Sequence, residues 1–219
     1  MKIKTKGKCA KCGEIYGVAQ AGTHLSACAL QPNIPSQSMK EGYLVRISSA
    51  EQPGMYWIFA TIPIDAPLKL LDDFLRETWL ECCGHLSEFV IGSRTIFSRT
   101  ESGNLSQAMK AQIGKLLSPG ATCKYTYDMG SSTELEIQIV EKIDACPQKK
   151  VTLLMRNELP TLSCESCEKV AKTICGLCGD TVCSRCSKRH ACVVKEGNDY
   201  MLMPLVNSPR AGVCGYVGT

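Results

Sequence analysis

Cys9 and Cys12 stand two residues apart, and after eleven more residues His24 and Cys28 follow with the spacing of one helical turn. That pattern places two thiols on a knuckle turn and an imidazole and a thiol on one helix face, the four-donor set that a tetrahedral Zn²⁺ takes. Gly13, directly after Cys12, suits the tight turn that aims backbone N–H groups at thiolate sulfur. A second set lies far along the chain: Cys164, Cys167, Cys175, Cys178, Cys183, Cys186, His190 and Cys192. Three Cys-x2-Cys pairs, a histidine and a further cysteine make eight donors, enough for two more tetrahedral sites. About three zinc ions are therefore expected. Each site would have four protein ligands and no vacancy for water, which argues for structural rather than catalytic metal. The segment from 164 to 192 has few large apolar side chains and would need metal to hold a fold.

The rest of the composition supports metal over disulfides. The 219 residues hold fifteen cysteines, and a disulfide scaffold would leave five Cys-x2-Cys or His-x3-Cys spacings to coincidence. Residues 1–11 are dominated by lysine, with no apolar segment of the secretory kind after them. The longest apolar run, about Tyr56 to Pro63, falls well short of the roughly 18 residues needed to cross a bilayer. These features point to a cytoplasmic chain without membrane contact, in a compartment that keeps thiols reduced. The formal charge of +4 counts thiols as neutral. Ten metal-bound thiolates with three Zn²⁺ would bring it to about zero, so a uniformly basic nucleic-acid surface has no support from the charge balance.

Other residues invite chemistry less strongly. Lys2, Lys4, Lys6, Lys8 and Lys11 form a basic arm suited to lie along phosphates, against the plainer reading of a solvated terminus. Cys82, Cys83 and His85 suggest a cysteine nucleophile and its base. Sequence neighbours seldom present such groups to each other, so packing at a helix end is expected instead. His85, Asp128 and Glu134 are candidate ligand-binding residues, the last two flanking a polar hairpin tip at Met129 to Thr133. Turn chemistry alone is the plainer account of that tip. No GxGxxG, P-loop or GxSxG motif sits at a strand-to-helix turn, and no catalytic constellation is read from the chain. A non-enzymatic binding or scaffold protein with a protein partner is the leading expectation, with nucleic acid as the alternative partner.

The elements that must position these groups are legible by period. Residues 1–30 form an N-terminal finger, 31–41 a proline-containing polar linker, 42–160 an α+β domain, and 161–219 a two-zinc module and tail. Within the middle region, Tyr43 to Ile47 and Met55 to Ile62 read as a hairpin. A helix follows, capped by Asp65 with Pro67 in its first turn, burying Leu68, Leu71, Phe74, Leu75, Thr78 and Trp79. Lys69, Asp72, Asp73, Arg76 and Glu77 are left for solvent. A second hairpin turns at Gly92-Ser93, and a second helix runs from Ser106 to Leu117. Strands at Thr122 to Tyr127, Glu134 to Ile143 and Val151 to Met155 complete the order. That order predicts a mostly antiparallel, β-grasp-like sheet with helices on one face, flanked by small zinc-binding modules. Cys123 and Cys146 are expected to pack in the core.

The ligand order after Cys164 resembles the cross-brace zinc modules of the MYND, HIT and RING type. That resemblance implies that Cys164, Cys167, Cys183 and Cys186 hold one ion while Cys175, Cys178, His190 and Cys192 hold the other. His190-x-Cys192 is shorter than those families use, which leaves Cys214 as an alternative to Cys192. The middle region, through Met55-Tyr56-Trp57-Ile58, Leu71, Phe74, His85-Leu86-x-Glu88-Phe89 and Tyr125-x-Tyr127-Asp128-Met129-Gly130, resembles the Ri-plasmid ORF-three-like family. That likeness implies a compact α+β fold and a loose association with plasmid or transposon recombination. The family's polar trio after the glycine is replaced here by Ser131, Thr133 and Leu135.

Overall fold

The computed structural model describes residues 3–28, 39–147, 149–197 and 199–218, with backbone alone at 39, 145 and 196. Lys2 and positions 31–38 of the expected linker lie outside them, and the strand that follows begins at Met39, inside the expected linker range. Nine strands make one sheet: β1 (Lys6–Cys9), β2 (Ile15–Gly17), β3 (Met39–Ser49), β4 (Trp57–Pro63), β5 (Ser87–Ile91), β6 (Arg94–Phe97), β7 (Thr122–Tyr127), β8 (Thr133–Pro147) and β9 (Thr152–Asn157). Their order is β2-β1-β9-β4-β3-β8-β7-β5-β6. Every pairing among the described strands is antiparallel. The N-terminal finger is thus not a separate bead. Its hairpin joins the sheet, Cys9 opposite Met155 and Gly7 opposite Asn157.

β4 shows why the sheet carries a core on each side. All seven of its residues are buried, and successive side chains point to opposite faces. Ile58, Ala60 and Ile62 enter one core together with Leu68, Leu71, Leu75 and Trp79 of the helical segment after β4. Trp57 and Phe59 enter the other, with Ala21 and Leu25 of α1 (Val18–Cys28). The expectation of helices on one face thus holds for the middle region, whereas α1 packs on the opposite face.

The helix after β4 is α2 (Leu68–Leu75), continued by a π-helical turn at Arg76–Leu80 that Glu81 N–H closes onto the Arg76 carbonyl at 2.9 Å. Pro67, not Asp65, stands at its N-cap; Asp65 instead pairs with Lys40 at 2.6 Å. The helix also hides two residues expected in water. Asp72 Oδ1 accepts from Tyr125 Oη (2.7 Å) and Ser87 Oγ (2.6 Å), while its Oδ2 takes Arg76 Nε at 2.9 Å. A charge on the core side is tolerated because every partner is supplied there. The expected helix from Ser106 to Leu117 is broken into a 3₁₀ turn (Gln107–Lys110) and the short α3 (Ile113–Leu116). Between them Ala111 and Gln112 are extended, because their backbone pairs with residues 64–68: Leu68 N–H donates to the Ala111 carbonyl and Ile113 N–H to that of Ala66, each at 2.9 Å.

Beyond β9 a three-stranded sheet, ordered β11-β10-β12, joins β10 (Thr173–Cys175), β11 (Thr181–Val182) and β12 (Leu202–Pro204). α4 (Ala191–Glu196) lies between β11 and β12 and ends at Gly197 in the left-handed conformation. The tail then returns to the large sheet, where Ser208, Arg210 and Tyr216 are buried.

Candidate metal centres

Three of the cysteine pairs fold into one repeated backbone device. The Cys9 amide donates to the Glu14 carbonyl at 2.9 Å, and Gly13 N–H returns to the Cys9 carbonyl at 2.9 Å. Cys164 repeats this with Lys169 (2.7 Å) and Glu168 (2.9 Å), and Cys175 with Asp180 (2.9 Å) and Gly179 (2.8 Å). The residue after each second cysteine, Gly13, Glu168 or Gly179, is left-handed at φ 80°, 58° and 80°. Glycine is the natural occupant there, and Glu168 tolerates the conformation because the knuckle fixes it. At Cys183 the same first turn forms, with Ser187 N–H on the Cys183 carbonyl at 2.9 Å, before the chain runs on into a 3₁₀ turn.

This turn directs amide hydrogens at the leading sulfur, which favours thiolate. Burial raises the Cys9 thiol, but the amides of Cys12 and Lys11 outweigh it and bring the pKa to about 7. Cys175 reaches about 7 in the same way, burial opposed by the amides of Cys178 and Leu177. At Cys183 the Cys186 amide is the largest influence, and the pKa falls to about 6. Two of the trailing thiols behave oppositely. Cys178 is pushed up to about 12 by burial and by its thiol neighbours, and Cys186 to about 12 chiefly by Cys167 and Cys183. A cluster of thiols holds its last protons until a cation replaces them.

Side chains converge as the spacing predicts. Cys9, Cys12, His24 and Cys28 bring their donor atoms within 4.8 Å of one another, and so do Cys164, Cys167, Cys183 and Cys186, and likewise Cys175, Cys178, His190 and Cys192. Cys12 Sγ lies 3.4 Å from His24 Nε2, Cys167 Sγ lies 3.6 Å from Cys183 Sγ and 3.5 Å from Cys186 Sγ, and Cys178 Sγ lies 3.3 Å from His190 Nε2. Zn–S bonds of about 2.3 Å set the edges of a tetrahedron at about 3.8 Å, so the donor sets fit a thiophilic dication. The pairing is interleaved as the cross-brace likeness implies. The β10–β11 hairpin carries Cys175 and Cys178 at its turn, with the other two knuckles at its open end. Tyr16 stacks on the His24 ring at a centroid distance of 4.1 Å and sets its orientation.

The remaining candidate residues are dispersed differently from the sequence reading. Cys214 does not replace Cys192: it lies with Cys82, Cys83 and His85, and those four also fall within 4.8 Å of one another. Cys83 is exposed, whereas Cys82 is partly buried and packs against the main core just past the helical segment, so the expected helix-end packing holds for Cys82 and not for Cys83. Cys123 and Cys146 are buried as expected. Asp128 is buried at φ 67°, its Oδ1 accepting from the amides of Gly130 (2.9 Å) and Ser131 (3.2 Å), an Asx turn. Its Oδ2 lies 3.4 Å from His85 Nε2, while Glu134 stands on the exposed side of β8 opposite Thr126. Lys4, Lys6, Lys8 and Lys11 are exposed, and the Lys11 ammonium donates to the Cys28 carbonyl at 2.6 Å, tying the arm to the first metal group. Arg210, which no spacing singled out, is wholly buried against Asp128.

No helix among the described residues is long and apolar enough to cross a membrane. No family model matches the chain, and no curated protein matches it either. Among solved structures it is similar, over 53% of its length and 67% of the other chain, to a protein of unknown function, MM3350, from Methanosarcina mazei Go1, at 15% identity and a TM-score of 0.42. A likeness at that level carries no argument about role.

Proposed function

We propose that this chain is a zinc-stabilised, non-enzymatic interaction module whose metal groups hold binding surfaces in shape for a protein partner, acting in the cytoplasm. The observation that carries the reading is the donor count: each predicted group supplies four protein ligands within 4.8 Å, the closed arrangement of structural zinc. The C-terminal module adds support. Its buried cluster is limited to Cys164, Val182 and Cys183, with Cys186 and Leu202 against it, yet it exposes Val170, Leu177, Val194 and Tyr200. A module that small, with apolar side chains outward and metal ligands inward, suits docking better than catalysis. Kinship with the plasmid ORF-like family belongs to the same proposal.

Lys6 and Lys8, exposed on the same side of β1, favour a second reading in which the basic arm contacts nucleic acid. Capture experiments separate the two. Metal-loaded and chelated full-length chain are used as bait, with proteins and nucleic acids both identified, beside titrations of labelled duplex and single strands at low and high salt. A defined protein captured reproducibly by the metal-loaded form alone supports the first reading. Steeply salt-dependent nucleic-acid binding without a protein partner replaces it with the second.

A further inference from the structure

We propose that Cys82, Cys83, His85 and Cys214 form a fourth metal centre, a discontinuous site of three thiolates and one imidazole for zinc or another thiophilic dication, which latches the C-terminal tail to the end of the α2 helical segment. The inference rests on the same metal chemistry as the proposed function and extends it to a site that no Cys-x2-Cys spacing announces.

Its donor separations match those of the other groups. Cys82 Sγ lies 3.5 Å from Cys83 Sγ, Cys83 Sγ 3.7 Å from Cys214 Sγ, and His85 Nε2 2.9 Å from Cys83 Sγ and 3.3 Å from Cys214 Sγ. These are close to the edges of one tetrahedron around a dication. The backbone repeats part of the knuckle device as well. Gly84 follows Cys83 in the left-handed conformation at φ 78°, as Gly13 follows Cys12 and Gly179 follows Cys178 at φ 80°. Cys214 itself is left-handed at φ 51°, an uncommon conformation for a residue with a Cβ, kept where surrounding structure imposes it.

The surroundings are those of a built site. Three thiolates and an imidazole around a dication carry one net negative charge, and the guanidinium of Arg210 stands beside them. Arg210 Nη2 donates to Cys82 Sγ at 3.5 Å and to Asp128 Oδ2 at 2.7 Å, so one buried cation faces both the Cys82 sulfur and the carboxylate. His85 is fixed on both sides of its backbone: its N–H meets Tyr127 Oη at 3.3 Å, and its carbonyl accepts from Arg76 Nη2 at 2.9 Å. The tail is seated independently, Ser208 Oγ donating to the Trp79 carbonyl at 2.6 Å and Asn157 Nδ2 to Asn207 Oδ1 at 2.6 Å. Cys214 is thereby brought to three donors from far earlier in the chain, 131 positions away in the case of Cys83.

One contrast sets this centre apart. Each of the other three groups includes at least one buried cysteine, whereas here two donors are exposed and two partly exposed. A chelator reaches this site most readily, so it should be the first to lose its metal, freeing the Cys214 end of the tail while the two-zinc module stays folded.

The test uses the full-length protein purified without chelator. Native mass spectrometry and elemental analysis should find four dications per chain, and Cys214→Ser should find three. In the unmutated protein, alkylation mapped by peptide mass should spare Cys82, Cys83 and Cys214 until a chelator is added. Those three thiols should then label before Cys164 to Cys192. Three metals in the unmutated chain with Cys82, Cys83 and Cys214 labelling freely would overturn the fourth centre and leave the other three standing. A mass short by two hydrogens, with Cys214 joined to Cys82 or Cys83, would overturn it in favour of a disulfide. Absence of metal from all four groups would remove the proposed function as well.

Discussion

The guanidinium of Arg210, wholly buried, lies 2.7 Å from the carboxylate of Asp128, 82 residues earlier in the chain. The same side chain donates from Nη1 to the Ser131 carbonyl and to Thr133 Oγ1, each at 3.1 Å, so the hairpin tip between β7 and β8 and the C-terminal tail share one cation. The arginine also stands over the Tyr127 ring, 4.8 Å from its centroid. Arginine suits the position because its planar fork satisfies several acceptors at once.

Removing one partner of that pair should be costly. Arg210→Ala leaves Asp128 buried without its counter-ion, and a loss of about 3–5 kcal/mol is expected from denaturant unfolding. The pair also has a pH signature. Although burial works the other way, the Arg210 bond and the Gly130 and Ser131 amides hold the Asp128 pKa at about 2. Its stabilising contribution is therefore complete above the ordinary carboxylate range and fades as pH falls through that range toward the depressed value. Midpoints measured from about pH 6 down to about pH 3 should decline less steeply in Arg210→Ala than in the unmutated protein.

Asp72 anchors α2 to the sheet through Tyr125, Ser87 and Arg76. Arg76 in turn donates from Nη1 to Glu81 Oε2 at 2.9 Å and from Nη2 to Ser87 Oγ at 2.8 Å. Asp72→Ala should cost about 3–5 kcal/mol, because the Arg76 guanidinium would remain buried without its main counter-charge. Asp73→Ala, on the same helix but paired with Lys69 at a half-exposed position, should cost less than about 1 kcal/mol. Equal losses from the two substitutions would contradict this account of the helix.

Chelation should unfold the chain in order. The middle domain has a large apolar core around Trp79, Phe89 and Tyr125, whereas the core cluster of the module from Cys164 to Cys192 is the small one of Cys164, Val182 and Cys183. Hydrogen exchange after addition of a strong chelator should show protection lost from β10 and β11 while β3, β4 and β8 are still protected. Simultaneous loss across both regions would show that the sheet also depends on metal.

Metal retention should weaken in acid. Protons compete with dications for thiolate and imidazole, and Cys178 and Cys186, whose pKa values are raised, must still release protons on binding. Apparent affinity, measured by competition with a chromophoric chelator, should fall by at least about tenfold for each pH unit lost between about pH 8 and pH 6. An affinity unchanged over that interval would argue against thiolate ligation.

Where ligands are local, the sequence sufficed. Cys-x2-Cys closes within one turn and His24-x3-Cys28 within one turn of helix, so spacing alone sets donor geometry before any tertiary contact forms. Strand alternation was legible for the same reason, since Leu135, Ile137 and Ile139 must share a face whatever they pack against. Tertiary structure decided the rest. The burial of Asp72 and Arg76 depends on Tyr125 and Ser87, residues of β7 and β5. The break at Ala111 and Gln112 depends on backbone partners near Pro67, and the placement of the N-terminal hairpin depends on an open edge at β9. The gathering of Cys82, Cys83 and His85 with Cys214 is the clearest case. Closing a loop of that length leaves no periodic trace in the chain, because contacts so distant are set by the fold that lies between them and not by the residues on either side.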